Sequence, residues 1–179
     1  PALPPAMPAL PGHAQAGILQ AIAPARRACV CLVAFDDPAA AARFLRAFPP
    51  TSEGGRTAGD VCENVALTFE GLRACGVPER VLDRLPVEFR QGMQARAGLL
   101  GDVQANHPRR WTLPLLNWPH AVDRPSAPAA ADAARVPLEA VHAMLHWRFD
   151  GQNEAAIGQA LKGRMQALGE GVRALSVQW

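Results

Sequence analysis

Lysine is almost missing from this 179-residue chain: Lys162 is the only one, and the other basic side chains are arginines. Charged residues make up only 19% of the sequence, and the formal net charge is +2. So even a balance excludes the broad basic surface that nucleic acid or an anionic membrane requires. Arginines are dispersed, with only Arg26-Arg27 and Arg109-Arg110 adjacent. No apolar run approaches the roughly 20 residues that a membrane-spanning helix needs. Residues 1–11 lack the basic start of a secretory leader and hold too many prolines for its apolar stretch. There is no Cys-x-x-Cys pair, no Gly-rich phosphate loop and no Gly-x-Ser-x-Gly elbow, so the common signatures of zinc binding, nucleotide binding and serine hydrolysis are missing. Cys29 and Cys31 stand two apart in an apolar run, on one face of a strand, and are poorly placed to bridge each other. With Cys62 and Cys75 they are expected to be reduced, buried thiols in a cytoplasmic protein.

What is present is a core. A hydrophobic fraction of 49% over 179 residues suits one folded domain. Residues 1–12 form a Pro/Ala-rich irregular lead-in, and the domain itself is expected over 28–179, after a lead-in of 1–27. Residues 28–35 (ACVCLVAF) are uninterrupted apolar sequence of strand length, the pattern of a central strand covered on both sides. Asp37 then supplies an N-cap oxygen and Pro38 a first helical residue, with Ala41, Phe44, Leu45 and Phe48 on one face of the helix that follows. Residues 63–69 read as a second strand, with Val65, Leu67 and Phe69 on one side. Short helices fill 71–99, broken by Pro78 and Pro86, and residues 103–137 read as an extended, Pro-punctuated loop.

Regular alternation returns at 138–149, where Val141, Ala143, Leu145, Trp147 and Phe149 interleave with His142, Met144, His146 and Arg148. Asn153 caps a helix whose stripe is Ile157, Leu161, Met165 and Leu168; Gly169 and Gly171 end it before a last strand at 172–179. The order predicts an α+β fold: a ferredoxin-like split βαβ arrangement, with a four-stranded antiparallel sheet, two helices on one face and a helical insertion between strands 2 and 3. The opposite face carries His142, Met144, His146 and Arg148, and part of the Cys29/Cys31 strand also needs cover there.

Few residues look chemical. His142 and His146 share a strand face, but their Cα atoms lie about 13 Å apart, too far for one metal ion. Gly92 and Gly101 suit close packing or positive φ, and Arg96 and Asp102 are placed to pair across a turn. Trp111, Trp118, Trp147 and Trp179 are candidate electron relays whose simpler role is packing.

One stretch is more particular. It starts Asn64-Val65-Ala66-Leu67-Thr68-Phe69-Glu70-Gly71-Leu72-Arg73-Ala74-Cys75-Gly76-Val77-Pro78 and continues Phe89-Arg90-Gln91-Gly92-Met93, Arg96, Leu100-Gly101-Asp102 and Arg110-Trp111. This succession resembles the N-terminal half of the dye-decolorising (DyP-type) haem peroxidases. Gln15, Ile18 and Leu19 also match that family's Asp-Ile-Gln-Gly-x-Ile-Leu segment, although His13 and Ala16 replace its aspartate and glycine. The resemblance implies the same ferredoxin-like fold, with a second, similar domain packed on the open sheet face and contributing a haem b pocket. It also implies hydrogen peroxide and dye or phenolic substrates for the complete protein. Phe149-Asp150-Gly151 is similar to the family's Gly-x-x-Asp-Gly pentad, but Trp147 stands where its first glycine belongs, and Asp-Gly here is an ordinary turn. None of His13, His107, His120, His142 and His146 matches the family's axial histidine. No catalytic, cofactor-binding or metal-binding residue is therefore assigned, and no haem is expected on this chain alone. Its partner would be the missing C-terminal haem domain. The alternative is a complete, non-catalytic module that homodimerises through its open face, or a two-chain barrel that binds a small molecule.

Overall fold

The computed structural model describes residues 14–17, 25–52, 61–110, 138–150 and 153–178. In chain order the elements are β1 (Ala25–Phe35), α1 (Pro38–Ala47), β2 (Cys62–Leu67), four short helices α2 (Phe69–Ala74), α3 (Glu79–Leu82), α4 (Val87–Ala95) and α5 (Ala97–Leu100), then β3 (Ala143–Asp150), α6 (Glu154–Gln166) and β4 (Val172–Gln178). The strands form one antiparallel sheet in the order β2-β3-β1-β4, the ferredoxin-like arrangement with the helical insertion between β2 and β3.

Local chemistry explains the helix ends. The Asp37 carboxylate accepts the Ala40 N–H at 2.7 Å with Pro38 in the first turn, and Asn153 Oδ1 accepts the Ala156 N–H at 2.9 Å. Pro78 and Pro86 stand immediately before α3 and α4, where a missing N–H costs nothing.

The two long helices cover one face. Ala143, Leu145, Trp147 and Phe149 are buried there with Cys29, Cys31, Val33 and Phe35 of β1, against Ala40, Ala41, Phe44, Phe48, Ile157, Leu161 and Leu168. This is the register that the alternation in β3 predicts. The other face carries half-buried His142, Met144, His146 and Arg148, with Val30 and Leu32 of β1 beside them. Cys29 and Cys31 thus lie under the helices, and burial pushes their thiols up, Cys29 to about 12. At neutral pH they are unreactive thiols. A part-buried ion pair ties α6 to β2: Arg164 Nε donates to Glu63 Oε2 at 2.6 Å, with Glu63 only 8% exposed.

Several expectations need correction. β2 stops at Leu67, because Thr68 caps α2 and Phe69 begins that helix, where its ring packs on Phe89 and under the Arg73 guanidinium. Leu138–Ala140 is a 3-10 turn, so β3 starts at Ala143. Leu45 is 38% exposed, off the buried stripe of α1. Arg96 donates to Gln91 Oε1 and does not pair with Asp102. Two 3-10 turns, Gln104–Asn106 and Pro108–Arg110, interrupt the expected loop, whose residues 111–137 lie outside the described ones. Gly92 and Gly101 do adopt positive φ, 69° and 82°; Gly92 kinks α4 and Gly101 ends α5.

Candidate functional site

Two groups of polar side chains on and around the open face have a definite geometry. The first is at the start of β3. Thr68 donates its hydroxyl to the Val141 carbonyl (2.6 Å) and accepts the Gly71 N–H (2.9 Å), while its own N–H bonds the His142 carbonyl (3.1 Å). His142 reaches the other way: its N–H bonds the Val33 carbonyl, and its Nδ1 accepts the Phe35 N–H at 2.9 Å. An Nδ1 acceptor fixes the neutral ring with its proton on Nε2. His142 is therefore a joint between α2, β3 and β1.

The second group lies over β2. Gln15 binds both backbone groups of Val65, donating to its carbonyl (2.9 Å) and accepting its N–H (3.0 Å). Thr51 does the same two residues away, with its N–H on the Glu63 carbonyl and its Oγ1 accepting the Glu63 N–H. Asn64 Nδ2 bonds the Ala16 carbonyl at 2.8 Å. Together they cover the hydrogen-bonding edge of β2, which would otherwise be open to a foreign strand. Gln15 matches the family segment in sequence, and its structural role is this edge. Between Gln15–Gly17 and β3 is a cleft of about 360 Å³, lined by Asn64, Met144, His146 and Arg148 among others.

Burial lowers the pKa of both histidines. For His142 the Glu70 carboxylate partly opposes this and Arg173 reinforces it; for His146 the Arg148 cation reinforces it. A base whose folded pKa is depressed below the ordinary 6.5 is neutral in the fold but takes up a proton when unfolded. Their contribution to stability should thus be complete above about pH 6.5 and fall as pH drops below it toward the folded values. Denaturant titrations between about pH 7.5 and 5.5 check this. His142→Asn, whose Oδ1 can accept the Phe35 N–H without titrating, should remove part of the slope; an unchanged slope would mean that the ring is not the acceptor.

The family resemblance raises the question of haem. Here the described residues do not fit it. His142 Nδ1 is already engaged, His146 sits beside a cation, and the cleft is at the small-molecule end of pocket sizes. Among the described residues no three His, Cys, Asp or Glu side chains converge on one point. His13 and His120 lie outside the described residues, as do Trp111, Trp118 and Trp179. Trp147 is fully buried against Phe48 (6.2 Å between ring centroids), which is packing rather than a surface relay. Asp150 is the last residue of β3.

No family model and no curated protein matches the chain. Solved structures do. A DyP crystal structure superposes with a TM-score of 0.61 at 15% identity, over 94% of this chain and 33% of that one. The fold is one found in DyP-type peroxidases. DyP2 from Amycolatopsis sp. ATCC 39116 gives 0.57 at 19% identity, over 92% of this chain and 31% of its own. A fungal DyP-type peroxidase from Auricularia auricula-judae gives 0.53 at 15% identity, over 93% and 32%. The chain thus spans about a third of these DyP structures, and it does so almost end to end. At these identities the likeness establishes the fold. No helix among the described residues is long and apolar enough to cross a membrane.

Proposed function

We propose that this chain is the first ferredoxin-like domain of a haem-dependent DyP-type peroxidase. In the complete protein, hydrogen peroxide would oxidise dyes or phenolic compounds at a haem b held by a second, downstream domain. The observation that carries this reading is that more than nine-tenths of the chain superposes on one third of several DyP enzymes. The ordered motifs from Asn64 to Arg110-Trp111 point to the same family independently of the superposition. The part assigned to this domain is packing: the face bearing Val30, Leu32 and Met144 lies away from α1 and α6 and suits a second domain, or failing that a second copy. A cytoplasmic site of action accords with Cys29 and Cys31 lying as buried thiols under the helices.

Haem reconstitution tests the assignment. The 179-residue chain should show neither a sharp Soret band at one haem per chain nor peroxidase turnover. The same chain joined to a downstream domain bearing a Gly-x-x-Asp-Gly pentad and an axial histidine should show both. A stoichiometric Soret band on this chain alone, abolished by replacing one of its histidines, would overturn the proposal. Met144→Lys should weaken association through the open face without unfolding the chain, as sedimentation and circular dichroism would show. A monomer at all micromolar concentrations, indifferent to that change, would count against the packing role.

A further inference from the structure

The cleft over β2 and β3 has more chemistry than packing needs. Its walls come from separate segments: Gln15–Gly17 on one side, β2 on another, and β3 as the floor. Cross-strand register sets the floor. Met144 lies opposite Ala66, His146 opposite Asn64 and Arg148 opposite Cys62, so one row runs from apolar to cationic along β3. His146 and Arg148 are two residues apart on one face, roughly 7 Å.

The hydrogen-bonding groups here divide sharply. Gln15 and the Asn64 amide nitrogen are committed to backbone, which makes the wall rigid. Arg148 is not. Its Nε is fully buried and has no hydrogen-bond partner. That nitrogen is closed to solvent and so to any ligand in the cleft, which leaves the outer guanidinium nitrogens to meet an acceptor there. Among the described residues no carboxylate lines the cleft to supply one. Beyond the cation the lining offers apolar surface from Met144, Val65, Ala66 and Ala16, with the amides of Gln15 and Asn64 beside it.

We propose that this cleft binds a small organic carboxylate, its oxygens on Arg148 and His146 and its apolar body over Met144. Volume agrees: about 360 Å³ falls in the range of small-molecule sites and admits an aryl or branched-alkyl acid. The donor set agrees, since a guanidinium pairs with planar carboxylates. Burial lowers the His146 pKa and the Arg148 charge adds to it; an anion here would offset that charge, so binding should raise the His146 pKa. The reading goes beyond the peroxidase assignment and needs no haem.

The test is calorimetric titration of the 179-residue chain with benzoate, with benzyl alcohol as its uncharged counterpart and inorganic phosphate as an anion without an apolar body. Benzoate should bind saturably and more tightly than either. Arg148→Gln should weaken benzoate about tenfold or more, the equivalent of one charge-assisted hydrogen bond, while Arg46→Gln, an exposed change on α1, should leave it unchanged. Benzoate should also shift the His146 ring signals in NMR of the unsubstituted chain, a readout that survives if Arg148→Gln does not fold. The proposal fails if benzoate does not saturate or does not move the His146 signals. It fails equally if Arg148→Gln binds benzoate like the parent, or if benzyl alcohol or phosphate binds as well as benzoate.

Discussion

Gly71→Ala should destabilise the fold by about 3 kcal/mol or more, far beyond the usual effect of one added methyl. A Cβ at position 71 would overlap the His142 carbonyl, and the His142 carbonyl carbon and Cα lie directly behind it. Flexible side chains can swing away from an intruder, but this obstacle is backbone. It is fixed on both sides, because the His142 carbonyl accepts the Thr68 N–H and the His142 N–H bonds the Val33 carbonyl. Relief would therefore mean separating α2 from β3 or pulling β3 from β1. The Thr68 hydroxyl, which spans Val141 and Gly71, would lose its geometry in either case. For a chain of this size, about 3 kcal/mol corresponds to a drop in melting temperature of roughly 6–12 °C. Gly98→Ala is the control. That glycine sits inside α5 with nothing within 4 Å of its would-be Cβ, so alanine there should be neutral or stabilising by up to about 1 kcal/mol. Equal effects at the two sites would refute the close approach of α2 to β3.

That junction also marks how far the sequence could be read. Where one element supplies its own signal, sequence and structure agree: Asp37-Pro38 and Asn153 cap the helices, and the alternation in β3 sets which face is buried. They part where the partner is remote. Phe69 continues the alternation of Val65 and Leu67, and only the carbonyls of Val141 and His142, 73 and 74 residues away, turn Thr68 into a cap and end the strand. His142 looked like a face-lining polar residue because the N–H it accepts belongs to Phe35, 107 positions earlier. Gln15 was visible as a motif residue, but its hold on Val65 spans 50 positions. The cleft is legible least of all, because its walls meet only in the folded sheet. An unpartnered Arg148 Nε has no mark in the sequence. Thr68 followed by Glu70, an N-cap residue with an acid in the first turn, is the local hint that marks the end of β2.

Phe44→Ala should cost about 3–5 kcal/mol, as do large truncations in a core that cannot collapse around them. Phe44 is fully buried in the middle of α1, with its ring 5.0 Å from Phe35 and 5.2 Å from Phe48 between centroids. Phe48 in turn meets Trp147 at 6.2 Å, and Phe35 meets His142 at 5.7 Å. Phe44 thus joins one helix to β1 and, through these neighbours, to both ends of β3. Its loss removes contacts from a row of rings, and the rings on either side are held by backbone that cannot move in to fill the space. Trp147, with a buried Nε1 that has no hydrogen-bond partner, depends on that packing to stay in place. Near-ultraviolet circular dichroism should therefore change along with stability. Phe44→Leu keeps most of the volume and should cost less than half as much as the alanine change, by roughly 1.5 kcal/mol. Leu45→Ala, one position along the same helix but 38% exposed, should stay within about 1 kcal/mol. If Leu45→Ala proved the more damaging of the two, α1 would be rotated on the sheet. The apolar stripe that the sequence suggests, with Leu45 inside it, would then be the correct one.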